Sequence, residues 1–171
     1  MLKPPIIIHD EFLTPLKCQS DQVLEYTAIK INSIVELVEK HYNVKIADAV
    51  APAFGNIINK PICDNSVYRG RQWLRTNNYD FTGYIPLMTY NSDTPFDPST
   101  DVYGGELLFK TLKFKHAPIT GELLIFPSAP NFLHYHDTIK IGHLKYIKFY
   151  LICDKPYQYD YTKFNCICST W

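Results

Sequence analysis

The sequence predicts an α+β fold, mainly β, with a long N-terminal helix packed on one sheet of a sandwich or jelly-roll body. Three observations carry this. One helical period occurs, near the start of the chain. From about residue 68 onward, short runs of strand composition follow one another, separated by turn-forming residues. The chain also carries 13 Tyr and 10 Phe against 2 Met, a bias that suits strands and ordered loops more than a helical bundle.

A chain of 171 residues fits one domain with a sizeable core. It divides into an N-terminal strand and helix (1–45), a β body (66–152) and an aromatic-rich C-terminal arm (153–171). Ile6-Ile7-Ile8 reads as a short strand closed by the turn His9-Asp10-Glu11. Ser20 is a candidate N-cap for one helix reaching about Tyr42. Val23, Thr27, Ile31, Ile34, Val35, Val38 and Tyr42 recur on its buried face, with Glu25, Lys30, Glu36, Glu39 and Lys40 mostly opposite. From Lys45 to Asn65, Pro52, Gly55 and Pro61 interrupt any long element. The candidate strands are Tyr68–Arg75, Thr82–Tyr90, Gly105–Phe109, Leu123–Phe126, Phe132–His136 and Lys145–Ile152. Pro86 falls inside one of them, which calls for an edge position or a bulge. In the arm, aromatic residues alternate with polar ones from Tyr157 to Tyr161, as in an edge strand or a segment that docks on a partner; packing on the body is the simpler expectation.

Seventeen basic residues balance seventeen acidic ones, so no whole-protein field draws the chain to nucleic acid or a membrane. Its apolar runs are too short to span a bilayer, and the N-terminus lacks the apolar core of a secretory signal. Five cysteines without framework spacing read as reduced thiols in a cytoplasmic setting. Cys166 and Cys168 supply too few ligands for a metal site.

Three blocks carry a family resemblance: Asp80-Phe81-Thr82-Gly83-Tyr84-Ile85-Pro86-Leu87, Gly104-Gly105-Glu106-Leu107-Leu108-Phe109, and Gly121-Glu122-Leu123-Leu124-Ile125-Phe126-Pro127-Ser128 followed by His134, Gly142 and Lys145-Tyr146. In this order they resemble the prolyl-4-hydroxylase-like branch of the iron(II)/2-oxoglutarate-dependent oxygenases. The resemblance implies a double-stranded β-helix of the jelly-roll or cupin-like kind. It also implies iron(II) and 2-oxoglutarate as cofactors, His134 as the distal metal ligand, and Lys145 as the cation that holds the cosubstrate carboxylate. Asn77 and His134 are 57 residues apart, about the separation the fold requires. On a strand, Lys145 would share a face with Ile147, Phe149 and Leu151 and so point inward, where a lysine is costly unless an anion meets it.

The chain departs from that family at the first metal motif. Arg75-Thr76-Asn77 and Asn78-Tyr79-Asp80 stand where the family carries a histidine and a carboxylate. Arginine cannot bind iron, and Asn77 is a weaker ligand than a carboxylate. Asp80 supplies an oxygen if the register shifts, and His134 and His136 share a strand face. The candidate metal set is therefore His134, Asp80, His136 and Asn77. Lys145 and Tyr84 are the candidate cofactor-binding residues, and Asn131 is a lesser polar candidate. Tyr68 and Trp73 read first as core. The run Arg69, Arg71 and Arg75 reads as solvated surface, and so does the Lys110–His116 region.

Two functions of different class remain. In the first, the degenerate oxygenase fold serves as a structural or binding module, for example in phage or virion assembly, with protein partners or further copies meeting the 157–171 tail. The second is an active dioxygenase hydroxylating a peptide side chain or a nucleotide base. The missing histidine favours the first; the inward lysine and the paired histidines favour the second.

Overall fold

The computed structural model describes residues 2–55, 79–87, 103–137, 139–141 and 144–165. A short helix α1 (Pro15–Cys18) precedes the expected long helix, which is itself two shorter ones: α2 (Val23–Ile29) and α3 (Ile31–Tyr42). The interruption falls at Lys30, whose amide donates to the Thr27 carbonyl. Its ammonium donates to the Phe12 carbonyl at 2.6 Å and lies 4.6 Å from the centre of the Phe12 ring. That anchoring ends α2 and re-aims the chain into α3. Ser20 caps the preceding turn, accepting from the Gln22 amide, and is not the cap of one long helix. The periodic face survives the break: Val23, Thr27, Ile34, Val38 and Tyr42 are all buried.

This face covers an antiparallel sheet of β1 (Ile7–His9), β2 (Ile46–Phe54), β3 (Phe81–Pro86), β7 (Leu123–Pro127) and β10 (Tyr146–Cys153), in the order β1-β7-β3-β10-β2. The nine-residue β2 occupies a region whose prolines and glycine argue against a long element. It tolerates Pro52 because it is an edge strand and its register with β10 shifts between Lys148 and Tyr150. Pro86 needs neither an edge nor a bulge. It ends the central strand β3, where its carbonyl accepts from the Gly121 amide. Gly83 is required in β3, since a Cβ there would sit 1.9 Å from the Phe149 ring.

A second, three-stranded sheet packs over the first, in the order β6-β5-β8: β5 (Leu107–Phe109), β6 (Phe114–His116) and β8 (His134–His136). The small ribbon β4 (Tyr103–Gly104) and β9 (Ile139–Ile141) lies beside them in sequence. Gly104 and Gly105 both take positive φ, 95° and 76°, which is the physical reason for glycine at the start of the Gly-Gly-Glu-Leu block.

The five-stranded sheet thus has two cores. One lies under the helices and contains Ile125, Ile147, Phe149 and Leu151. The other lies between the sheets and contains Tyr84, Leu107, Phe109, Leu124, Phe126 and Tyr146. The described part of the C-terminal arm docks on the body. Phe164 is buried and bridges to Lys3, and the Tyr157 ring packs edge-on to Tyr42 and tilted against Phe81. Among the described residues, no helix is long and apolar enough to cross a membrane.

Candidate functional site

Alternation along β10 decides which residues line the space between the sheets. Ile147, Phe149 and Leu151 turn to the helices. Tyr146 and Lys148 therefore turn the other way, into the barrel. Lys148 stands directly opposite Tyr84 of β3, which in turn stands opposite Leu124 of β7. Cross-strand partners share a face, so the lysine and the tyrosine lie side by side.

Lys145 keeps the face its spacing suggests, but that face turns to the helices and not into the barrel. It precedes β10 and places its ammonium 4.5 Å from the centre of the Phe54 ring. Its face is the helix-side face of Ile147 and Phe149, so the interior lysine is Lys148. The sequence signal for this existed in the same alternation. The more apolar set faces the helix layer, and the mixed set Tyr146-Lys148-Tyr150 lines the barrel.

From the opposing sheet come the histidines. Leu107 pairs with both His116 and His136, and Phe109 pairs with both Phe114 and His134, which makes two cross-strand rows on one face. His134 is buried, with its ring 5.6 Å from that of Phe109 and 4.9 Å from that of Phe126. Its Nδ1 meets the Phe132 carbonyl at 2.9 Å, which assigns the proton to Nδ1 and leaves Nε2 as an acceptor. Burial pushes this imidazole down to about 4. The His136 ring lies 5.4 Å from Tyr84 and 5.2 Å from Tyr146, which are themselves 4.6 Å apart. Burial, with His134 and the Lys148 cation nearby, holds His136 down to about 3, against a hydrogen bond to the backbone of Gly105. Both imidazoles are neutral at ordinary pH. Desolvation also lowers the Lys148 ammonium below its usual range.

Two polar atoms in this cluster are sealed from solvent without a hydrogen-bond partner: Tyr84 Oη and His136 Nδ1. Buried polar atoms are seldom left so, and these two belong to neighbouring rings whose centres are 5.4 Å apart.

Asp80 is committed elsewhere. Its Oδ2 accepts from the Cys153 amide at 2.7 Å and its Oδ1 from the Tyr157 amide at 2.9 Å, so the carboxylate ties the C-terminal arm to the start of β3. Its own amide and carbonyl are paired with Leu151 and Ser128. Asn77, Tyr68, Trp73, Arg69, Arg71 and Arg75 lie outside the described residues. Among the described residues, no group of three or more His, Cys, Asp or Glu side chains is arranged to hold a metal ion. Iron(II) therefore does not fit the described donor set, which offers two imidazoles and no free carboxylate where a facial triad needs both kinds of ligand.

His116 lies on the edge strand β6, as read, but is largely covered there. Its Nε2 contacts the Glu122 carboxylate, which is 1% exposed, and this pair links β6 to the start of β7. A charged residue beside an obligatory glycine at a strand start was its only sequence signal. Gly121 takes a φ of 78°, and a Cβ there would meet the Leu13 carbonyl oxygen at 2.0 Å.

No family model and no curated protein sequence matches the chain. Solved structures do. The 2-oxoglutarate complex of a viral collagen prolyl hydroxylase from Paramecium bursaria Chlorella virus-1 superposes with a TM-score of 0.57 at 14% identity, covering 88% of this chain and 97% of that one. A truncated form of the same protein gives 0.54 at 14% identity, over 86% and 89%. A prolyl hydroxylase from Trichoplax adhaerens, in complex with a hypoxia inducible factor peptide fragment, gives 0.51 at 16% identity, over 88% of this chain and 64% of that one. The chain thus carries the fold of the prolyl-4-hydroxylase-like 2-oxoglutarate oxygenases.

Proposed function

We propose that this chain is a binding or structural module on an oxygenase fold, without a catalytic iron centre. One observation carries the reading: both oxygens of Asp80, the carboxylate nearest the degenerate metal motif, are taken by backbone amides. A carboxylate holding two amide protons loses that bonding if it turns to a metal. A role among assembly proteins of a virus or phage suits a compact, electrically balanced domain, and segment 157–171 is the proposed contact with partner chains or further copies. The enzyme reading keeps one specific support, the two neutral imidazoles with unprotonated ring nitrogens beside an interior lysine; it would make the chain a dioxygenase acting on a peptide side chain or a nucleotide base.

Anaerobic addition of iron(II) and 2-oxoglutarate separates the two. The module reading expects no visible charge-transfer band, and the same blank trace for Asp80→Asn. A band that disappears in His134→Ala would overturn it.

A further inference from the structure

The C-terminal arm leaves β10 through a short bend and packs on the body again beyond it. The chain turns at Asp154 and Lys155, and Pro156 follows. The residue before a proline prefers extended backbone, so Pro156 favours a straightened chain here. The turn is stapled at its two ends: Asp80 accepts from the Cys153 amide before it and from the Tyr157 amide after it. An open cleft of about 420 Å³, lined by residues 43–45 and 154–158, lies against the bend and leaves it room to move.

Beyond the bend, the arm sits in an aromatic groove of its own body. The Tyr157 ring lies 4.9 Å from that of Phe81 and 5.7 Å from that of Tyr42. Tyr159 meets Phe132 at 4.9 Å, and Phe164 meets Tyr42 at 5.6 Å. The Asn165 amide donates to the Lys3 carbonyl, and its side chain donates to the Leu2 carbonyl. None of these contacts depends on which copy supplies the arm. The bend, by contrast, exists only when the arm folds back on its own chain.

We propose that residues 154–156 form a hinge and that two copies of this chain exchange their arms, each seated in the other's groove. The segment that occupies the groove is this chain's own, so every second copy carries a ligand of the right chemistry. Exchange keeps the groove contacts and straightens the bend, and short hinge loops are where such swaps arise. It rests on the module reading above in naming the further copies as the partner.

The test is size-exclusion chromatography with light scattering on the full chain, incubated at millimolar concentration and then diluted. The expected result is a dimer that returns to monomer only over hours, because each arm must first leave its groove. Lys3→Cys with Asn165→Cys puts one thiol beside the groove and one on the arm. Oxidation of the dimer should join two chains through that pair, identified by sequencing the linked peptides. Pro156→Ala should lower the dimer fraction about fivefold, the worth of one proline's backbone restriction. Asp80→Asn loosens the arm in both forms alike, so interconversion should quicken about tenfold at an unchanged dimer fraction. A chain that stays monomeric at millimolar concentration would overturn the exchange. So would a disulfide between positions 3 and 165 found only within single chains, or a dimer fraction indifferent to Pro156→Ala. Each of these results leaves the module reading standing if no charge-transfer band is seen, whereas a His134-dependent band overturns that reading whatever the oligomeric state.

Discussion

The two faces of the five-stranded sheet are built from the same strands to opposite standards. On the helix side, Phe149 fills the space left by Gly83, and Ile125, Ile147 and Leu151 complete an apolar layer under α2 and α3. On the barrel side, the same β10 contributes Tyr146 and Lys148, and two buried polar atoms go unpaired among them. One face is finished as packing; the other carries polar groups that packing alone does not explain. In β10 the two faces are interleaved residue by residue, so they can be perturbed independently.

The largest effect belongs to the packed face. Phe149→Ala should cost about 3–5 kcal/mol of stability, the usual range for deleting a buried aromatic ring, and denaturant unfolding measures it. A loss under about 1 kcal/mol would mean that the helix layer does not hold the sheet.

Acid should act next, and through the barrel face. His134 and His136 titrate near 4 and 3 when folded, against about 6.5 in the unfolded chain. Between those values the unfolded chain binds more protons, so stability is complete above about pH 6.5 and falls as pH drops. By pH 4 the loss should reach roughly 3 kcal/mol per imidazole, and replacing His134 by Phe should remove about half of the slope. A flat profile between pH 6.5 and 4.5 would contradict the neutral, buried state of both rings.

The smallest effect has the most telling sign. In a finished core, Tyr→Phe removes a satisfied hydroxyl and costs stability. At Tyr84 it removes an unsatisfied one, so the chain should be unchanged or gain up to about 1 kcal/mol. A melting temperature lowered by the substitution would place Tyr84 with the packed face instead.

Much of the fold was legible in the sequence because it rests on local patterns. The buried stripe from Val23 to Tyr42 and the strands around Leu123 and Tyr146 follow from periodicity. The break at Lys30 was not legible, since it depends on a carbonyl contributed by Phe12, far away in the chain. Nor was β2, whose Pro52 is harmless only because the strand lies at an edge beside a bulge. At the site, His134, His136 and Tyr84 could be named from motif and spacing, and all three line the barrel. Lys148 was missed because the apolar alternate set was assigned to the barrel interior, although a sheet covered by helices buries its greasier face beneath them. The commitment of Asp80 was invisible for the same reason as the Lys30 contact: its partners, Cys153 and Tyr157, are brought to it only by the fold.

The central claim is that the barrel of this oxygenase-like chain holds no iron centre, and anaerobic equilibrium dialysis against iron(II) with 2-oxoglutarate tests it most directly. The account predicts no stoichiometric retention of iron and no dependence on His134. One iron retained per chain, and lost in His134→Ala, would contradict it.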